Sequence, residues 1–105
     1  MKTWIAERKL TYTLKGENKK QNLTIRIGKP YLLVEGMVNF QFHEGAAGCS
    51  VEFDGIDDGY ADEVYGADSL QALQLASDID GILKNLSKKY DFYFPDGEPY
   101  FDDEV

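Results

Sequence analysis

The chain has 105 residues, of which 43% are hydrophobic and 13% aromatic, a composition that fits a single globular domain and excludes a disordered chain. Its net charge of −8 disfavours nucleic acid as a partner, because an acidic surface repels phosphates. The single cysteine, Cys49, excludes an intramolecular disulfide. We therefore expect a cytoplasmic protein without a signal peptide, and its longest apolar run, Tyr31–Val34, is too short to cross a membrane.

Alternation of apolar and polar residues predicts an antiparallel meander in the first two thirds of the chain. The predicted strands cover residues 3–14, 23–27, 49–53 and 60–65. Residues 31–42 are ambiguous, because Gly36 interrupts a pattern in which Val38, Phe40 and Phe42 alternate with polar residues. One bulged strand and an inserted hairpin both fit this segment.

The clearest predicted element is an amphipathic helix that begins after Asp68. Asp68 is a good N-cap, and Gln71 at the third helical position completes the pattern of a capping box. The apolar stripe that we expect to be buried consists of Ala72, Leu75, Ala76, Ile79, Ile82, Leu83, Leu86 and Tyr90. A short last strand is predicted near residues 92–94.

These elements predict an α+β fold: an antiparallel β-meander of about four to six strands with one amphipathic C-terminal helix packed on one face. The chain lacks the βαβ alternation of a parallel sheet. We expect one domain over residues 1–105, with an ordered core at 3–101 and an acidic tail at 102–105.

The sequence offers little support for catalysis or metal binding. Cys49 and His43 could form a nucleophile and base, but Cys49 heads an apolar alternation that favours a small buried thiol. Residues 54–59 resemble the start of an EF-hand loop, yet Ile56 and Tyr65 occupy positions that need oxygen ligands. We therefore predict a protein that is not an enzyme and holds neither a cofactor nor a metal ion.

Two motifs resemble those of a known family. They are Ile25-Arg26-Ile27-Gly28-Lys29-Pro30 at a strand end and Gly66-Ala67-Asp68-Ser69-Leu70-Gln71-Ala72-Leu73 at the helix start, together with Trp4 and Cys49. With these motifs the chain resembles a family of small bacterial domains of unknown function over most of residues 3–101, and it departs from the pattern in residues 31–48. The resemblance implies a bacterial source and no particular activity.

The uneven charge suggests a function in protein binding. Residues 1–42 contain eight Lys or Arg and three Glu, a net +5, whereas residues 43–105 contain three Lys and sixteen Asp or Glu, a net −13. The simplest explanation of such a surplus of acidic residues is that it keeps the protein soluble. The functional interpretation is a protein-interaction module for a basic partner, with an immunity protein or inhibitor as its narrower version.

The residues that we predict to bind this partner form an acidic group, Asp57, Asp58, Asp62 and Glu63. Two alternatives remain open. A small-molecule-binding domain would use a pocket between helix and sheet. A homo-oligomeric structural domain, such as a homodimer, would use residues 38–42 as an edge strand.

Overall fold

The computed structural model describes residues 3–56 and 59–101, and in this part of the chain it confirms the predicted α+β class. Its strands are β1 (Trp4–Leu14), β2 (Gln21–Gly28), β3 (Tyr31–Leu32), β4 (Ala47–Asp54), β5 (Tyr60–Gly66) and β6 (Tyr90–Tyr93). Two helices, α1 (Ser69–Ser77) and α2 (Asp80–Leu86), lie between β5 and β6 in the sequence. The predicted acidic tail at 102–105 lies outside the described residues.

The strands form one antiparallel sheet. β1 pairs with β2 and β6, and β4 pairs with β2, β3 and β5. Ile27 lies opposite Val51 and Tyr31 opposite Gly48, so β3 continues β2 along the same edge of β4 after a one-residue register shift at residues 28–30. From one edge of the sheet to the other the order is therefore β6, β1, β2, β4 and β5, and β3 lies in line with β2.

Residues 33–46, between β3 and β4, form a loop without a strand. The predictions of one bulged strand over 31–42 and of an inserted hairpin are therefore both wrong, as is the proposed edge strand at 38–42. Gly36 and Gly45 adopt φ values of 91° and 95°, which turn the chain out of the extended conformation. The alternating aromatic residues instead place Phe40 against Tyr65 of β5.

The core lies between one face of the sheet and the helices. Ala72 and Ala76 of α1 are fully buried, and their small side chains let the helix lie close to β4 and β5. The approach is very close at Gly66, where a Cβ atom would lie 2.6 Å from the backbone nitrogen of Ala72. The other face of the sheet is polar, with Arg26 of β2 bonded to Glu52 of β4 at 3.1 Å.

The C-terminal helical segment covers one face of the sheet as predicted, but it is interrupted at residues 78–79. The hydroxyl of Ser77 donates to the carbonyl of Leu73 at 2.8 Å, so it competes for the last backbone acceptors of α1. The break allows Ile79 and Leu83 to reach the core. Leu75, predicted to be buried, is 49% exposed. Neither helix in the described ranges is long and apolar enough to cross a membrane.

Candidate functional site

One end of the sheet gathers four segments of the chain: the ends of β3 and β5 and the beginnings of β4 and α1. The loop at residues 33–46 spans this end, and a connection of this length is uncommon in a small domain unless it has a function. Its base is fixed by a hydrogen bond from the Leu33 amide to the Ala46 carbonyl at 2.9 Å, and both residues are buried. The loop is therefore anchored at its base and projects its middle residues outward.

Aromatic side chains of this loop meet β5. The Phe40 ring lies edge-on to the Tyr65 ring with centroids 5.1 Å apart, and Phe42 lies 6.5 Å from Phe40. Phe40 and Tyr65 separate two open hollows of about 320 and 550 Å³. We call the two together the aromatic cleft. The smaller hollow is lined by Leu33, Phe40, Phe42, His43, Ala46, Tyr65, Gly66, Ala67 and Gln71, and the larger by Gly36, Met37, Val38, Asn39, Phe40 and Tyr65.

Several large apolar side chains of β3 and the loop are exposed to solvent. Leu32, Val34, Met37 and Phe40 are 63%, 59%, 51% and 43% exposed, although the domain buries most of its other large apolar side chains. Tyr65, whose ring packs on that of Phe40, is also exposed. Single exposed apolar residues are ordinary, but exposed apolar side chains grouped around one hollow, as Met37, Phe40 and Tyr65 are, are typical of a binding surface.

The helix end beside the cleft is well ordered by its cap. The Asp68 carboxylate accepts a hydrogen bond from the Gln71 amide at 2.8 Å, as the predicted capping pattern requires. The side-chain oxygen of Gln71 in turn accepts a hydrogen bond at 2.6 Å from the amide of Ala67, one residue before the cap. These two bonds fix the wall of the smaller hollow, which both Ala67 and Gln71 line.

Beneath the cleft, on the polar face of the sheet, a hydrogen-bond network ties β3 to β5. Glu63 accepts hydrogen bonds from the Tyr31 hydroxyl at 2.6 Å and the Ser50 hydroxyl at 2.8 Å. The Tyr31 ring lies over Gly48, where a Cβ atom would come within 2.5 Å of the ring. Burial, and then the bond to the Glu63 carboxylate, raise the pKa of Tyr31. This network holds the base of the loop against the sheet.

The structure separates the predicted acidic site residues that it describes. Asp62 is exposed and accepts hydrogen bonds from the Tyr60 hydroxyl at 3.3 Å and the Glu63 amide at 2.9 Å. Glu63 is half-buried and points to the opposite face, because neighbouring side chains on a strand alternate. Asp57 and Asp58 lie outside the described residues. Binding of a partner by these four residues stays a prediction.

The residues considered for catalysis and metal binding lie apart from one another. Cys49 is buried in the core, its thiol donates to the Gly28 carbonyl at 3.1 Å, and burial raises its pKa. His43 is exposed at the cleft. Asp54, the first residue of the calcium-like turn, accepts a bond from Arg26 at 3.0 Å. Within residues 3–56 and 59–101, no three His, Cys, Asp or Glu side chains could hold a metal ion together.

The charge around the cleft comes from one long stretch of sequence. Residues 30–83 contain no Lys or Arg and eleven Asp or Glu. Glu35, Glu44 and Asp68 are exposed and adjoin residues that line the cleft in the sequence. Sequence reasoning missed the cleft because it assigned residues 38–42 to a strand. The signal that could have found it is the combination of this uninterrupted acidic stretch with closely spaced aromatic residues.

Fold and site together define an α+β domain built on one antiparallel sheet, with an acidic surface around an aromatic cleft at one end. The chain belongs to a family described as a domain of unknown function (DUF6968), whose family model matches residues 6–89. No curated protein and no solved structure matches it. The predicted resemblance to a family of unknown function is thereby confirmed, and the whole aromatic cleft lies inside the matched residues.

Proposed function

We propose that this protein is a non-catalytic protein-interaction module and that its binding surface is the aromatic cleft. The observation that supports this function is the exposure of Phe40, Met37 and Val34 in one anchored loop, with Tyr65 of β5 against Phe40. Burial of apolar surface contributes roughly 25 cal/mol per Å², so a partner that covers these side chains gains binding energy. Aromatic side chains in small hollows are frequent centres of that energy.

The charge around the cleft indicates the chemistry of the partner. An apolar centre surrounded by carboxylates suits a surface with apolar side chains at its middle and Lys or Arg at its border. Long-range attraction would speed the encounter and would weaken at high salt. An immunity or inhibitor role against a basic protein is the narrower form of this proposal, and the acidic charge is what supports it.

The source and compartment belong to the same proposal. The family resemblance favours a bacterial protein. A single cysteine that is buried as a free thiol suits the reducing cytoplasm.

The cleft supports protein binding better than small-molecule binding. The recess between the sheet and the helices, lined by residues such as Arg8, Ile25 and Ile79, holds about 150 Å³, whereas ligand pockets commonly hold roughly 300–1,000 Å³. The hollows of the aromatic cleft are larger, but they lie open on the surface. A homo-oligomer is also less suitable, because a partner copy would bring the same acidic surface to the interface.

A capture experiment tests the proposal with three baits: the wild type, Phe40→Ala, and Phe94→Ala as a matched control. Phe94 is 38% exposed, close to the 43% of Phe40, but it packs on Tyr100 and lines neither hollow. We expect the wild type and Phe94→Ala to retain one basic protein from an extract of the producing cells, and Phe40→Ala to lose it. High salt should weaken its retention. The same captured proteins with all three baits, or none with any of them, would contradict the proposal.

A further inference from the structure

Cations of the chain itself lie over several aromatic rings outside the aromatic cleft. The Lys20 ammonium lies 4.8 Å from the centroid of the Tyr93 ring, and the Arg8 guanidinium lies 5.8 Å from that of Tyr100. Among the described residues, no Lys or Arg lies over a ring of the cleft. The sequence explains the difference, because residues 30–83, which include the whole cleft, contain neither Lys nor Arg. A Lys or Arg side chain over these rings would therefore come from another molecule.

The smaller hollow of the cleft is bounded by three aromatic rings that stand at steep angles to one another. The planes of Phe40 and Tyr65 meet at 71°, and those of Phe40 and Phe42 at 75°. Leu33 and Ala46 add apolar lining, and no Asp or Glu is among the described residues that line this hollow. Rings at such angles form a corner that suits a compact ammonium, whereas a planar guanidinium stacks best on one flat ring.

One of the three rings stands close to a carboxylate. The Tyr31 hydroxyl donates to Glu63 at 2.6 Å. Burial, then Glu63 and then the Tyr65 side chain raise the pKa of Tyr31, so Tyr65 lies beside this hydrogen-bonded pair. The hollow therefore has aromatic walls with negative charge behind one of them, and both features attract a cation.

From this arrangement we propose that the smaller hollow binds the ammonium group of a lysine of the partner protein, by cation–π attraction to Phe40, Phe42 and Tyr65. This inference rests on the proposed function and names the side chain that enters this hollow. The four-carbon stem of the lysine would pack on the apolar lining, while its ammonium keeps water at the open mouth and so loses little hydration. The larger hollow, beside Met37 and Val38, remains for apolar side chains of the partner.

Four probes of stated chemistry test the proposal. They are N-acetyl-lysine methylamide, its Nζ-trimethyl form, a neutral analogue in which carbon replaces the trimethylated nitrogen, and choline. Each is titrated into the ¹⁵N-labelled protein while the amide signals of Ala67 and Gln71, which line the hollow, are followed. We expect both lysine probes to shift these signals. The trimethylated lysine should bind about fivefold more tightly than its neutral analogue, because the two have the same shape and differ only in charge.

The contribution of the rings is measured with Phe40→Leu and with Phe94→Leu as the matched control. Leucine keeps an apolar side chain but removes the ring, so Phe40→Leu should lose most of the preference for the charged probe over the neutral one. Phe94 has a similar exposure and lines neither hollow, so Phe94→Leu should keep that preference.

The outcomes separate this inference from the proposed function. Equal affinity for the charged and neutral probes, no shift with the lysine probe, or an unchanged preference in Phe40→Leu would overturn the lysine site. Tighter binding of choline than of either lysine probe would assign the hollow to a free quaternary ammonium compound and would also overturn it. In each of these cases the capture experiment still decides independently whether the aromatic cleft binds a protein.

Discussion

The contact between Gly66 and α1 gives the sharpest prediction about the fold. A Cβ atom at residue 66 would lie 2.6 Å from the Ala72 nitrogen and 2.9 Å from the Gln71 carbonyl carbon. Both are helix backbone atoms, so no rotamer change relieves the clash. Restoring a separation of about 3.4 Å at the nitrogen would move α1 by roughly 0.8 Å away from β5, and overpacking of this kind costs about 1–3 kcal/mol.

We therefore expect Gly66→Ala to lower the free energy of unfolding by about 2 kcal/mol and the midpoint of thermal unfolding by roughly 8–16 °C. Circular dichroism followed during heating and in urea measures both. Gly81→Ala is the matched control, because Gly81 is exposed in α2 and a Cβ atom there meets nothing within 4 Å. It should stabilise the protein by about 0.5–1 kcal/mol through helix propensity. A Gly66→Ala variant as stable as the wild type would refute the close approach of α1 to the sheet.

Three further predictions concern the cap, a tyrosine and the thiol. Asp68→Ala should lower the free energy of unfolding, measured in urea, by about 1 kcal/mol, because the Gln71 amide loses its acceptor. Asp68→Asn, which keeps an acceptor, should lower it by less. Equal losses for the two variants would argue against the cap. Tyr31 donates to Glu63 and its pKa is raised in the folded protein, so it contributes stability that is present below the unfolded pKa of about 10 and is lost as the pH rises above it. In urea titrations at alkaline pH, the stability of Tyr31→Phe should therefore fall less steeply with pH than that of the wild type. Parallel slopes for the two proteins would contradict this. Cys49 should react with a thiol reagent at the rate of unfolding, and rapid labelling of the folded protein would show that it is not buried.

Most of the fold was predictable because the pattern of apolar and polar residues along each element agrees with the side chains that the structure buries and exposes. In β2, Leu23, Ile25 and Ile27 alternate with polar residues and are buried. The predicted cap at Asp68 forms because a cap depends on residues only three positions apart. Such short-range features are set by the sequence around them.

The rest depended on contacts between distant residues. The strand predicted at residues 38–42 has the required alternation, but the aromatic ring of Phe40 finds its contact on Tyr65, 25 positions later in the chain. Leu75 shares the predicted apolar stripe, yet it is 49% exposed, and the single predicted helix is interrupted at residues 78–79. The acidic partner site was predicted from charge alone, and alternation along β5 turns Asp62 and Glu63 to opposite faces.

The affinity of a captured partner for Phe40→Ala and Phe94→Ala, compared with the wild type by titration calorimetry, tests the aromatic cleft most directly. We expect a loss of about tenfold or more for Phe40→Ala, because truncation of a central aromatic anchor costs at least about 1.4 kcal/mol, and no loss for Phe94→Ala. Unchanged affinity for Phe40→Ala, or equal losses for the two variants, would contradict the assignment of the cleft as the binding surface.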